Sequence, residues 1–493
     1  MILYNKAKNF RSQIKSQNVF FISLFILAFL FPKFIKAQEK PAEPQALNHA
    51  QEQTQTQTPV VLHVGVWGSQ LNLLPLWDND NYFIITPYVF KTEQEFFKNI
   101  DSQKICILEE HEEINEQDVH RCLHLLRNQG LGEKPISYLV NGPSEDDVSL
   151  GAKLRTKFQV PHGLTEERAS LFVDKLKMKQ KLTAKNPMIP TARFQGLSIE
   201  NQNPEEIFQH LNFPVIIKPT DGAGSRGIHI LEDAKEVGQF LINWEKEGRF
   251  NAIVEEFIRG SVLRLDGSIQ GGKLQALFPS IYEPSCHEYY NHGKPQIIYS
   301  DFHPDRQEAY FLFTTEVLAA LEYPNGPFHL EAIRSQKDGR LYFLEVAARP
   351  GGSSEPLWTH YKFPYNVIFI NAQLNRSTLF DALKPTLDQT YALLDCPTLP
   401  EAVAGKEQVL HEFSYDKESP YLTLCPHSRI PYADDKFVWK VPEKGVTKMG
   451  TFYFYGPYEQ VLKEARQIKS TLKGKMGPFK QGTYFSWPPQ ETP

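Results

Sequence analysis

The chain has 493 residues, 41% of them hydrophobic and 23% charged, with a formal net charge of −5. This length exceeds a single hydrophobic core and implies about two to four globular domains, and the net negative charge gives no electrostatic basis for nucleic-acid binding. The five cysteines, at positions 106, 122, 286, 396 and 425, lie far apart with no CxxC pair, which argues against a disulfide framework and a structural zinc site.

Residues 1–37 differ from the rest. Lys6, Lys8, Arg11 and Lys15 precede an apolar run over residues 19–31, which Pro32 ends. The run is short for a membrane span and matches a signal-peptide core. Three readings stay open: a cleaved signal, a membrane anchor through residues 19–31, or a wrongly assigned start. Residues 38–58, which include QEQTQTQT, read as a polar, flexible linker.

Residues 60–64 (VVLHV) form a buried-strand pattern, followed by Gly65 and Gly68. Short apolar runs recur at 82–85 and 104–108, and helical patterns at 93–99 and 115–128. Together they predict an N-terminal α/β domain over 59–150 with a largely parallel sheet. Its His111, His120, Cys122 and His124 fit a metal site, but ordinary helix positions explain them as well.

A helix over 145–158 leads to a second one that opens at Asp174-Lys175. A lysine at a helix start opposes the helix dipole and suits a bound anion; a solvated surface lysine is the plainer reading. Residues 213–219 form a strand that carries Lys218 near its end. Gly222, Gly224, Ser225, Arg226 and Gly227 follow in a glycine-rich loop, and then a second strand-like run, IHI. The loop matches GxGxxG, but the dinucleotide fingerprint needs a helix at the third glycine. A strand–loop–strand unit instead folds over phosphates with its backbone N–H groups, or is a plain hairpin. Protein kinases share such a loop, but the sequence contains neither HRD nor DFG.

The strand at 252–258 includes Glu255, Glu256, Phe257 and Ile258 and fits the wall of an adenine pocket, with backbone amides reading the base edge. Arg264 begins a strand and turn, and residues 274–278 return. The aromatic, turn-rich segment 282–305 suits substrate contact or a mobile loop. Its Cys286-His287 pair is a poor nucleophile–base arrangement, because adjacent residues rarely meet. An amphipathic helix over 307–322 leads to a hairpin at 326–354.

That hairpin holds Glu331 and Glu345. With a three-residue loop and Gly339 at positive φ, Gln336 pairs with Arg340 and Glu331 faces Glu345; a two-residue Asp-Gly turn would put them on opposite faces. Facing carboxylates ~5 Å apart repel unless they share a hard divalent cation. Arg349 follows, placed to hold a phosphate in a two-pronged grip. Two solvated surface glutamates are the plainer alternative. Beyond the hairpin, helices over 365–374, 377–383 and 457–472 and a strand over 446–455 predict an α+β subdomain at 376–493.

Asp174-Lys175, Lys218 ahead of GAGSRG, EEFI at 255–258 and the paired glutamates ending in LEVAARPGG occur in an order that resembles the ATP-grasp superfamily over about residues 60–480. The resemblance implies an α/β and α+β architecture. An N-terminal Rossmann-like domain precedes a core over 151–375, with a lid at about 185–255; two α+β subdomains clamp ATP. It implies that Lys175 and Lys218 bind phosphate, Glu255 to Ile258 line the adenine site, Glu331 and Glu345 bind magnesium or manganese, and Arg349 stabilises the transferred phosphate. Many members carry an asparagine ligand where this chain has Ala347; the E-x-A-A-R form is similar to dipeptide-forming L-amino-acid ligases.

The implied reaction joins a small-molecule carboxylate to an amine through an acyl phosphate, with Arg264 and residues 282–305 holding the acid. A homodimer is compatible with this reading. Rival readings are an ATP-grasp kinase, a carboxylase-like enzyme (disfavoured, because no carrier-lysine domain is evident) and a non-catalytic, membrane-tethered ATP-binding protein. ATP chemistry implies the cytoplasm, whereas the N-terminal segment implies anchoring or export.

Overall fold

The structure is a computed structural model that describes residues 59–65, 81–87, 101–108, 114–197, 211–225, 227–246, 251–352, 358, 360–377, 388–397, 407–415, 419–423, 438–440 and 448–478. The signal-like segment, the polar linker, the predicted helix at 93–99, most of the one at 377–383, His111 and Arg226 lie outside the described residues. Among the described residues no helix is long and apolar enough to cross a membrane.

The first sheet is parallel, as its continuous apolar runs predict. Strands β1 (Val60–Val64), β2 (Tyr82–Pro87), β3 (Ile105–Leu108) and β4 (Ile136–Asn141) pair in the order β3-β2-β1-β4. Every residue of β1 is buried, as a strand covered on both faces requires. Helices α1 (Glu116–Leu126) and α2 (Glu145–Phe158) each start with a capping box, from Asn115 with Asp118 and from Ser144 with Asp147.

One expectation is overturned here. Cys106 on β3 and Cys122 on α1 form a disulfide, with Cα atoms 5.6 Å apart. Spacing along the chain hid this pair, because packing the helix on the strand brings the two residues together. The bond also commits the thiol that the metal reading of the His120–His124 region would have used, and such bonds persist mainly in oxidising compartments.

Arg155 of α2 is buried and ties this sheet to a helix far along the chain. Its Nη2 donates to Leu139 O at 2.9 Å, to Asn141 Oδ1 at 2.8 Å and to Gln373 Oε1 at 2.6 Å. Burial pulls its pKa down to about 10. Replacing Arg155 with alanine strips these acceptors of a donor and is expected to lower unfolding stability by about 2 kcal/mol. Urea denaturation measures this; a loss below about 0.5 kcal/mol would show that the acceptors find water instead.

After the short helix α3 (Glu166–Ser170) and α4 (Lys175–Lys185), β5 (Phe194–Leu197), β6 (Val215–Pro219), β7 (His229–Leu231) and β8 (Ala252–Glu256) make an antiparallel sheet in the order β5-β8-β6-β7, beside α5 (Ala234–Lys246). The strand–loop–strand reading of the glycine-rich segment corresponds to the β6–β7 pairing.

The largest sheet has eight strands. It contains β9 (Gly260–Gln270), β10 (Lys273–Glu283), β11 (Gln296–Ser300), β12 (Gly326–Ser335), β13 (Leu341–Ala347), β14 (Gln389–Pro397), β16 (Leu422–Thr423) and β18 (Lys448–Pro457). Strands β14 and β18 come from beyond residue 376, so the sheet runs across the boundary drawn from sequence. A separate small sheet joins β15 (Glu407–Ser414), β17 (Val438–Lys440) and β19 (Lys473–Pro478). Segment 282–305 contributes β11 and the helix α6 (Cys286–His292), and so is more ordered than its turn-rich composition predicts.

Alternation along the strands divides the large sheet into two faces. On one, Leu263, Leu265, Ile281, Ile297, Leu330 and Ala332 pack with α7 (Pro304–Ala320) and α9 (Tyr458–Thr471). On the other, Tyr282 and Ile298 meet an aromatic cluster that includes Trp358 and Tyr365, the latter opening α8 (Tyr365–Gln373).

The β12–β13 hairpin corrects the predicted turn while keeping the predicted pair. Near the turn the register is Arg334 opposite Leu341, with Ser335 N–H donating to Arg340 O at 2.9 Å, so Gln336 does not pair with Arg340. A bulge then leaves Leu344 without a partner and restores Glu331 opposite Glu345. Gly339 has φ +71°, as the turn requires. The bulge also lets Phe343 face the core while Glu345, two residues on, faces away from it.

Candidate active site

The positions that alternate with the core-facing leucines put Arg264, Asp266, His329 and Glu331 on one face of β9 and β12. There Glu331 lies opposite Arg264 and His329 opposite Asp266. The charges run in sequence. Arg264 Nε donates to Asp266 Oδ2 at 2.6 Å, Asp266 Oδ1 lies 2.6 Å from His329 Nδ1, and His329 Nε2 lies 3.4 Å from Glu331 Oε1.

Burial opposes the charge on His329, but Asp266 and Glu331 outweigh it and raise its pKa to about 9. Burial likewise opposes the Asp266 carboxylate, which Arg264 and His329 keep below the usual range. Gly351 packs against this row; a Cβ there would come within 2.5 Å of His329 Nδ1 and 2.9 Å of Asp266 Oδ1. Arg264 Nη2 is buried and has no hydrogen-bond partner among the described residues.

Glu345 faces Glu331 across the hairpin and pairs with Lys175 Nζ at 2.9 Å. Asp174 caps α4 by accepting from Leu176 N and Lys177 N, which fixes Lys175 as the first helical residue. Lys175 Nζ also donates to Gly222 O in the glycine-rich loop. Burial opposes its charge, yet Glu345, Glu145 and Glu331 together hold its pKa above the ordinary lysine value. Burial alone would raise the Glu345 carboxyl, but Lys175 and Lys218 bring it down to about 2.

The loop itself turns through the left-handed region at Gly224, Ser225 and Gly227, with φ of +61°, +57° and +70°. Positive-φ residues of this kind occur in the backbone turns that bind anions. Ser225 O accepts from Asn291 Nδ2 of α6 at 3.4 Å, so the loop reaches the 282–305 segment.

Lys218 is buried, and its Nζ lies 2.9 Å from Glu255 Oε1; the other carboxylate oxygen lies 3.2 Å from Lys179 Nζ. The Glu255 side chain is therefore held by two lysines. Of the amides expected to face adenine, Glu256 N–H donates to Arg193 O at 2.9 Å and Phe257 N–H to Pro214 O at 3.0 Å. The amides of Glu256 and Phe257 are therefore already committed to backbone acceptors. Glu256 itself accepts from Asn212 N at 2.8 Å and pairs with Arg193, both beside the β5-β8-β6-β7 sheet.

Arg349 pairs with Glu145 in the first turn of α2 and donates to Pro350 O at 2.6 Å. Its Nε is buried with no hydrogen-bond partner among the described residues. The poor Cys286–His287 pairing expected from their adjacency agrees with the geometry: burial pushes the Cys286 pKa up to about 12, and His287 bonds to Asn291 at 2.8 Å.

Four residues of this cluster escaped the sequence reading. Lys179 sits four residues after Lys175, one helical turn along. Asp266 and His329 sit two residues from Arg264 and Glu331 on the same strand faces. Those spacings were legible. Glu145 has no local signal, because tertiary packing alone brings it to Arg349.

Residues 211–356 match the ATP-grasp domain family. The carbamoyl phosphate synthase large chain of Clostridium beijerinckii is 24% identical over 219 residues, 44% of this chain, and the match spans only 20% of that relative's length. Dapdiamide A synthase of Enterobacter agglomerans is 20% identical over 304 residues, which is 60% of this chain and 68% of that one. The L-amino acid ligase of Bacillus licheniformis superposes with a TM-score of 0.59 at 15% identity, covering 85% of this chain and 98% of that chain.

Proposed function

We propose that this chain, which carries an ATP-grasp domain and has the ATP-grasp fold, is an ATP-dependent carboxylate–amine ligase. The observation that supports this best is the meeting of Glu331 and Glu345 across one hairpin, with Lys175 at Glu345 and Lys218 close enough to lower the Glu345 pKa. Similarity to a dapdiamide synthase and to the fold of an L-amino acid ligase supports small acids and amines as substrates.

The donor set fits a metal-bound triphosphate. Glu331 and Glu345 offer hard oxygen ligands for magnesium, which in this site would neutralise charge on phosphate oxygens. Lys175 and Lys218 bind phosphates, the left-handed loop turns covers them, and Ile258 meets the adenine edge. In this reading the lid is the β5-β8-β6-β7 sheet, and residues 59–150 supply the wall that carries Glu145.

The substrate carboxylate, held by Arg264 Nη2, which has no hydrogen-bond partner among the described residues, attacks the γ-phosphorus of ATP. An acyl phosphate forms and ADP leaves. The amine then attacks the acyl carbon, phosphate leaves, the amine loses a proton and an amide remains. Arg349 stabilises charge on the transferred phosphoryl group. Lid closure excludes water, which would otherwise hydrolyse the acyl phosphate.

The test is release of ADP and phosphate against panels of acids and amines. Release that requires both co-substrates, with an amide product detected by mass spectrometry, is expected. Phosphate transfer to an acceptor without an amide would identify a kinase instead. Tight ATP binding without amine-dependent turnover would identify a binding protein.

A further inference from the structure

Lys179 has no role in the reaction as written, yet it is fully buried. Its Nζ lies 3.2 Å from Glu255 Oε2, donates to Phe343 O at 3.1 Å and sits 5.5 Å from the Phe343 ring centroid. Three elements meet at this one ammonium: α4, the last turn-ward residues of β8 in the lid sheet, and β13 in the large sheet. The Phe343 carbonyl is open to it because Phe343 turns its backbone groups to the outer edge of β13, away from β12, where its N–H donates to Pro190 O at 2.8 Å.

The charges of this group do not cancel. Lys179 and Lys218 share a single carboxylate, Glu255, and all three side chains are shielded from solvent. The trio itself carries one more positive than negative charge where water cannot screen it, and Glu345, the further carboxylate that acts on both lysines, is paired with Lys175 at 2.9 Å, so an arriving anion is attracted to the trio. With Lys179 absent, Glu255 would cancel Lys218 and the surplus would vanish.

We infer that Lys179 is a positioning residue for nucleotide binding: it keeps Glu255 neutralised, so that Lys218 can leave that carboxylate and pair with a phosphate of ATP. The inference rests on the ligase reading above and adds a residue that does not touch the nucleotide. Burial pulls the Lys179 pKa down to about 8, a value at which the side chain is still mainly charged at neutral pH. Arginine at this position would keep the charge and the donors; glutamine would keep donors and lose the charge.

The test measures MgATP binding by isothermal titration calorimetry, with thermal melting of each variant. K179Q is expected to weaken MgATP binding by about tenfold, and K179R to stay within about threefold of wild type. The deciding variant is the pair K179Q/E255Q. It removes one charge of each sign, restores the surplus on Lys218, and is expected to bind within about threefold of wild type.

A merely structural Lys179 predicts the reverse, since the second substitution would leave binding as weak as in K179Q or weaker. That result, or K179Q binding as wild type does, overturns the inference and leaves the ligase reading standing. Failure of the wild-type protein to bind MgATP overturns both. Should K179Q not accumulate as folded protein, the pair variant decides alone: near wild-type affinity supports the inference, and a tenfold loss ends it.

Discussion

Replacing Glu345 with glutamine is expected to lower kcat by about a thousandfold while leaving the fold intact. Glutamine keeps the size and one oxygen but loses the charge that binds Lys175, 2.9 Å away, and that would bind the divalent cation of the proposed reaction. The expected loss is therefore double: the proposed metal ligand goes, and the lysine that spans Glu345 and the glycine-rich loop is released from one anchor. ADP release at saturating co-substrates measures it; a variant retaining a tenth of wild-type turnover would remove Glu345 from the chemistry.

The same substitution has a pH signature. The folded-state pKa of Glu345 is depressed, to about 2, so its stabilising contribution is complete above the ordinary carboxylate pKa and fades as pH falls through about 2. The stability gap between wild type and E345Q should therefore narrow as urea melts are taken from about pH 5 toward pH 2. A gap that widens on acidification would mean that Lys175 does not hold this carboxylate charged.

The facing of Glu331 and Glu345 was legible in the sequence although the turn was misread. A turn one register out and a bulge at Leu344 offset each other, and neither leaves a mark in residue types. Periodicity located the parallel sheet, the α4 start and the glycine-rich hairpin, because each rests on local backbone preference. It could not locate the Cys106–Cys122 bond or the Glu145–Arg349 pair, which exist only after distant elements pack.

Between these extremes lie Lys179, Asp266 and His329. Their spacing from Lys175, Arg264 and Glu331 follows helix and strand periods, so faces were predictable where partners were not. The adenine segment shows the opposite error. Residue type suggested the segment, but two of its amides are committed to Arg193 O and Pro214 O, a fact that only the register of β8 against β5 and β6 reveals.

Arg349 should behave differently from the lysines under substitution. The R349A variant is expected to lose about a hundredfold in kcat with the KM for ATP changed less than about threefold. The reason lies in what the side chain already holds. Its Nη atoms pair with Glu145 and Pro350 O, so the ground state gives it little cause to bind nucleotide, while its buried Nε has no partner among the described residues. A group so placed contributes mainly when the phosphoryl group moves toward the substrate carboxylate, and that affects turnover rather than affinity. Lysine cannot donate to Glu145, Pro350 O and a phosphoryl oxygen in one plane, so R349K should recover less than about a tenth of the lost activity. A rise in the KM for ATP matching the fall in kcat/KM, with kcat unchanged, would instead place Arg349 at the bound nucleotide and leave the transferred phosphoryl group without its arginine.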